Sequence, residues 1–161
     1  MVISPQKITP MLMFEGRAEE AMTFYVSLFE DSRIVAVNHY GPGAPSAEGS
    51  VMTVTAEIAG QQVIGLNGGP QYAFTEAFSF FVDCDSQEEV DRLWGALTAE
   101  GEEGPCGWLK DRYGLSWQIV PAVLLELLQD PDKEKAGRVM QAMLKMRKLD
   151  VAELERAAAE A

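Results

Sequence analysis

The chain has 161 residues, 47% hydrophobic and 24% charged, the composition of a folded globular protein rather than a disordered one. With 25 acidic against 13 basic side chains the net charge is -12, which excludes a binder of phosphate backbones, because that needs clustered Lys and Arg. No apolar run approaches the roughly 18 residues of a membrane span, and Met1 to Lys7 lacks a charged-then-apolar leader layout, so a cytoplasmic protein with no nucleic-acid or membrane partner is expected.

In chain order, Ile8 to Phe14 is an apolar run suited to a buried strand. Ala21, Phe24, Tyr25, Leu28 and Phe29 then recur at helical spacing within Arg17 to Phe29. Arg33 to Tyr40 and Ser50 to Ile58 are β-branched or alternating, separated by a Gly/Pro loop over Gly41 to Gly49. Ala59-Gly60 turns the chain into a further strand, Gln61 to Asn67. The order is strand, helix, three strands.

Asn67-Gly68-Gly69-Pro70 breaks the chain and the order restarts. Phe78 to Cys84 reads as a strand, and Ser86 with Glu89 has capping-box spacing ahead of a helix carrying Val90, Leu93, Trp94 and Leu97 on one face. A brief strand near Glu102 to Cys106 follows, then Gly107 to Asp111 and Leu115 to Val120 about the turn residue Gly114. Tyr25 and Trp94 are 69 positions apart, an offset that also carries Pro10 to Ser79, whereas Gly60 and Gly114 differ by 54. The second copy is thus fifteen residues shorter.

Beyond Pro121 the chain becomes helical. Ala122 to Leu128 is a short apolar helix, Asp130-Pro131 reads as the cap and first-turn proline of a helix striped by Ala136, Val139, Met140, Met143 and Leu144, and Asp150 with Glu153 caps Val151 to Ala159. This tail is nearly neutral, with seven basic and eight acidic residues. The preceding 120 residues hold six basic against seventeen acidic, a net of -11.

The repeated module, together with the stretch Cys106-Gly107-Trp108-Leu109-Lys110-Asp111-Arg112-Tyr113-Gly114-Leu115-Ser116-Trp117-Gln118-Ile119-Val120-Pro121, closely resembles the PhnB-like branch of the vicinal oxygen chelate superfamily, which includes glyoxalase I, extradiol dioxygenases and bleomycin resistance proteins. Asn67 to Pro70, Gln87 to Asp91 and the tail stretches Met143 to Met146 and Leu149-Asp150 extend the resemblance over essentially the whole chain. It implies an α+β fold of two βαβββ modules, residues 1–70 and 71–121, each a half-barrel of glyoxalase/bleomycin resistance type, with a helical tail over 122–161. One structural domain overall and a homodimer are expected.

The resemblance also implies a divalent metal held from the first and last strand of each module. Counting from the helix aromatics and turn glycines, those positions fall near Pro10, Ile64, Ser79 and Gln118, of which only Gln118 could coordinate. His39 lies on a strand that supplies no ligands in that superfamily, and Cys84 and Cys106 lack a CxxC partner, so no metal and no cofactor are expected. Many relatives carry a demethylubiquinone methyltransferase label, but no glycine-rich strand-to-helix turn is present to cradle a methyl donor of the adenosylmethionine type.

A cleft remains, and its candidate residues are Gln118 and Ser116 on the last strand, Trp108 and Tyr113 as aromatic walls, Asn67 at the end of the corresponding first-module strand, and Glu57, which alternates with Thr55 and Thr53. Lys110-Asp111-Arg112 reads as an exposed hairpin turn. The resulting reading is a metal-free small-molecule binding protein whose acidity favours a cationic ligand. The competing readings are an enzyme, either a lyase or dioxygenase using a divalent metal or a metal-independent one using Gln118 and a carboxylate, and a purely structural interaction protein.

Overall fold

A computed structural model describes residues 6–160. The chain divides between Ala73 and Phe74 into two compact units.

The first unit is a four-stranded sheet backed by one helix. Its elements are β1 (Met11–Phe14), α1 (Ala18–Leu28), β2 (Arg33–His39), β3 (Val51–Ile58) and β4 (Gln61–Asn67), in sheet order β1-β4-β3-β2. β1 pairs parallel with β4 and the other neighbours are antiparallel. Leu12, Phe14, Val54, Ala56, Ile58 and Val63 are buried on the same side as Ala21, Met22 and Tyr25 of α1, which packs on β3 and β4. Gly65 permits the close approach of that helix, since a Cβ there would lie 2.9 Å from Met22 Cγ. The alternate residues Met11, Met13, Thr53, Thr55, Glu57, Ile64 and Leu66 occupy the opposite face. β1 starts later than the apolar run suggests: Ile8 is exposed, and Pro10 contributes only its carbonyl, accepting from Ile64 N at 3.0 Å.

The second unit repeats the plan with shorter strands and adds the tail. Its sheet elements are β5 (Ser79–Cys84), α2 (Gln87–Thr98), β6 (Glu102–Glu103), β7 (Trp108–Lys110) and β8 (Ser116–Pro121), ordered β5-β8-β7-β6. Ser86 caps α2 by accepting from Glu89 N at 3.2 Å, and α2 buries Val90, Leu93, Trp94 and Leu97 as it packs on β8 and β7. Trp117, Ile119 and Leu109 are buried in this core. Phe80 lies edge-on to Trp117 with ring centroids 5.0 Å apart.

The tail forms α3 (Ala122–Leu128), α4 (Lys133–Met143) and α5 (Val151–Ala159) around a cluster of Val120, Leu124, Val139, Met146, Leu149, Leu154 and Ala158. The cap of α4 is Asp132 rather than Asp130, because the Asp132 carboxylate accepts from Glu134 N and Lys135 N. Asp130 is used one turn earlier, accepting from Asp132 N. The predicted stripe of α4 is only partly inward: Val139 is fully buried, whereas Met140 and Leu144 are exposed.

Candidate functional site

In the second sheet the residues facing away from α2 converge. Register places Ser116 between Ser79 and Lys110, and Gln118 between Phe81 and Trp108. Gln118 Nε2 donates to Ser79 Oγ at 3.1 Å. Ser116 is 1% exposed, and its Oγ has no hydrogen-bond partner among the described residues, a state that buried hydroxyls rarely tolerate. It borders a cavity of about 410 Å³ lined also by Glu76, Glu102, Glu103, Trp108 and Lys110.

The cavity is anionic. Lys110 pairs with Glu76 at 2.5 Å, and this hydrogen bond holds the Glu76 carboxyl below its ordinary range and the Lys110 ammonium above its own. Glu103 accepts from Trp94 Nε1 at 2.8 Å and lies 3.8 Å from Arg147. Glu102 stands opposite Lys110 in the β6–β7 register. Trp108 contributes an indole to the same wall. A larger hollow of about 910 Å³ lies in the tail, but its lining sets Arg138, Lys145 and Arg156 against Glu134, Glu153 and Glu160, so it has no net electrostatic preference.

Among the residues nominated from sequence, Trp108 and Ser116 line the cavity and Gln118 is their register neighbour. Tyr113 belongs to the β7–β8 turn, where its backbone N donates to Asp111 Oδ1 at 2.8 Å. Asn67 and Glu57 lie in the other unit and are engaged there. Asn67 Oδ1 accepts from Ala18 N at 2.8 Å, supplying the helix cap that Arg17 lacks, and its Nδ2 donates to Val51 O at 3.1 Å. Glu57 pairs with Arg33 at 3.2 Å.

Sequence reasoning missed Glu76, Glu102, Glu103 and Lys110 as a group. Charge opposite charge across the short hairpin could have revealed Glu102 and Lys110, whereas Glu76 sits in a loop without periodicity. The exposed-turn expectation for Lys110 to Arg112 is corrected at its centre. Asp111 is 3% exposed because Tyr113 N, Leu115 N and Trp117 Nε1 all donate to it.

The positions that would hold a superfamily metal do not fit one. Register sets Met11 opposite Ile64 and Phe81 opposite Gln118, one residue beyond Pro10 and two beyond Ser79, the positions counted from the helix aromatics. Neither the counted residues nor these neighbours bring an imidazole or a carboxylate, and the Gln118 amide is turned to Ser79. No group of three or more His, Cys, Asp or Glu able to hold an ion occurs among the described residues. Cys84 is buried, and its thiol is pushed up to about 12 by that burial and by the nearby Glu89 carboxylate, which leaves it unreactive.

Two four-stranded sheets of matching order, each backed by one helix, define a protein of the vicinal oxygen chelate fold. A family model described as 3-demethylubiquinone-9 3-methyltransferase matches residues 6–120, and the chain belongs to this PhnB-like family. A PhnB protein of Bacillus cereus, described by the same methyltransferase name, is 40% identical and superposes with a TM-score of 0.66 over 73% of this chain and 100% of its own. A Pseudomonas aeruginosa protein is 22% identical, with a TM-score of 0.60 over 71% of this chain and 96% of its own. The fosfomycin resistance protein FosX of Mesorhizobium loti shares the fold at 15% identity and a TM-score of 0.50, over 71% of this chain and 90% of its own. No curated protein matches. The family match stops at residue 120, so the tail resemblance read from Met143 to Asp150 lies outside it.

Proposed function

We propose that the protein is a metal-free, homodimeric small-molecule binder of the PhnB-like type, taking a small organic cation in the cavity beside Trp108. The observation that carries this reading is Ser116. Its buried hydroxyl, without a partner among the described residues, borders a cavity whose carboxylates outnumber its one ammonium. A ligand N–H or O–H would satisfy Ser116, the indole face of Trp108 would receive the positive charge, and Glu102 would neutralise it. Exposed Met11 and Phe81 support the dimer, as apolar side chains that a second copy would cover. The methyltransferase activity in the family description finds no support in the strand-to-helix turns. β1 leads to α1 through Glu15-Gly16-Arg17 and β5 to α2 through Asp85-Ser86, neither of them a glycine-rich cradle.

Titration calorimetry with benzylammonium, which can donate to Ser116, and with tetramethylammonium, which carries the charge alone, tests the cation. Binding that weakens at least about fivefold between low and 0.5 M salt, and falls similarly in Glu102→Gln, supports it. The absence of binding, or affinity indifferent to both changes, overturns it. Stoichiometric zinc, iron, nickel or manganese in the purified protein would sink the metal-free part, and a monomer by light scattering would sink the dimer.

A further inference from the structure

We propose that the tail segment Met146–Leu149 is a strap that fixes the rim of the Trp108 cavity, so that the tail, although outside the family match, is a positioning part of the binding site. This inference rests on the cavity being the site. The strap bears on the β6–β7 turn. Pro105 O accepts from Trp108 N at 3.0 Å across Cys106 and Gly107, which both have positive φ, at 55° and 86°. Cys106 has no glycine's freedom, so this conformation is strained and persists only where surrounding groups enforce it.

The enforcing groups come from the tail. Cys106 N donates to Met146 O at 2.9 Å and Gly107 N to Arg147 O at 2.8 Å, and these are the amides that the tight turn leaves without a ladder partner. Leu149 is fully buried beneath the turn, close enough that a Cβ on Gly107 would lie 2.9 Å from its Cδ1. Gly104, Pro105 and Trp108, on either side of the strained pair, line the cavity. Whatever holds Cys106 and Gly107 therefore also sets the indole wall.

The strap is itself anchored on α2. Gln87 spans it, donating from Nε2 to Leu149 O at 3.1 Å and accepting at Oε1 from Val151 N at 2.7 Å. Four residues along the helix, Asp91 pairs with Lys148 at 2.8 Å and accepts from Gln87 at 2.9 Å. Arg147 reaches toward Glu103, which belongs to the cavity. The route from α2 through the strap to the turn and the indole is continuous in hydrogen bonds and packing. Gln87 acts here as a positioning residue, touching no part of the cavity.

The test uses the full chain carrying 5-fluorotryptophan, with Gln87→Ala, Gln87→Glu and Lys148→Met. Losing the three hydrogen bonds of Gln87, two of which hold the strap directly, corresponds to about tenfold faster amide exchange at Cys106 and Gly107 in Gln87→Ala, with a displaced Trp108 fluorine resonance. Tetramethylammonium affinity should fall about threefold or more as the wall loosens. Gln87→Glu, which keeps the acceptor for Val151 N, should fall between Gln87→Ala and wild type. Lys148→Met supplies the same readouts should Gln87→Ala not fold. Unchanged exchange and an unmoved Trp108 signal in the folded variants overturn the strap, as does faster exchange with affinity intact. If wild type binds no tetramethylammonium, the cation reading fails, and exchange with the fluorine signal alone decides the strap.

Discussion

The two units share a strand order and differ in how their backbones are satisfied. In the first, β2, β3 and β4 run for seven, eight and seven residues, and long ladders, with register shifts on β2 between Ile34 and Ala36 and between Asn38 and His39, pair most of the backbone. In the second, β6 and β7 have only two and three residues. There the missing ladder is replaced by single groups: Asp111 gathers three donors, and the tail accepts from Cys106 and Gly107. A module can shorten its strands when side chains and an appended segment take over their hydrogen bonds, and the edge so shortened leaves room for a cavity.

If the second unit leans on single residues, its equivalents should be unequal to those of the first. Trp117→Ala should destabilise by about 3–5 kcal/mol, by opening a hole and by depriving Asp111 of its indole donor. Val63→Ala, at the matching position 54 residues earlier, should cost about 2 kcal/mol. Equal losses in denaturant titration would break the contrast. Asn67→Ala should cost about 1–2 kcal/mol through the lost cap on α1 while leaving tetramethylammonium affinity unchanged. A loss of affinity there would return Asn67 to the binding site and move the site's weight toward the first unit.

The smallest effect concerns acid. Lys148 first, and then Gln87, hold the Asp91 carboxyl below its ordinary range by donating to it. A lowered folded pKa contributes stability that is complete above the unfolded value and is lost as pH falls through the folded one. The protection factors of Cys106 and Gly107, taken relative to the intrinsic exchange rate at each pH, should therefore fall below about pH 4 in wild type and fall less in Asp91→Asn. No such difference would detach the ion pair from the strap.

Much of the fold was legible because it rests on local signals. The helical spacing of Ala21, Tyr25 and Leu28, the Ser86 cap and the Asp150 cap all specify neighbours a few residues apart, and the observed elements follow them. The candidate site was legible only where a strand's alternation exposed it, at Ser116 and Gln118, and at the aromatic Trp108. Glu76 and Glu103 escaped because a loop and a two-residue strand carry no period. Asn67 was nominated because it ends the strand matching that of Gln118, yet distant groups claim its carboxamide.

The sequence by itself determined the duplicated strand-helix-strand plan and the segregation of negative charge into the first 120 residues, since each follows from residue type and spacing. Only the tertiary structure decided that Asp111 is buried, that the Ser116 hydroxyl has no partner among the described residues, and that Met146 and Arg147 bind a turn forty residues earlier. Those outcomes depend on which backbone donors remain unpaired after the short strands form, and that is fixed by the approach of segments far apart in the chain.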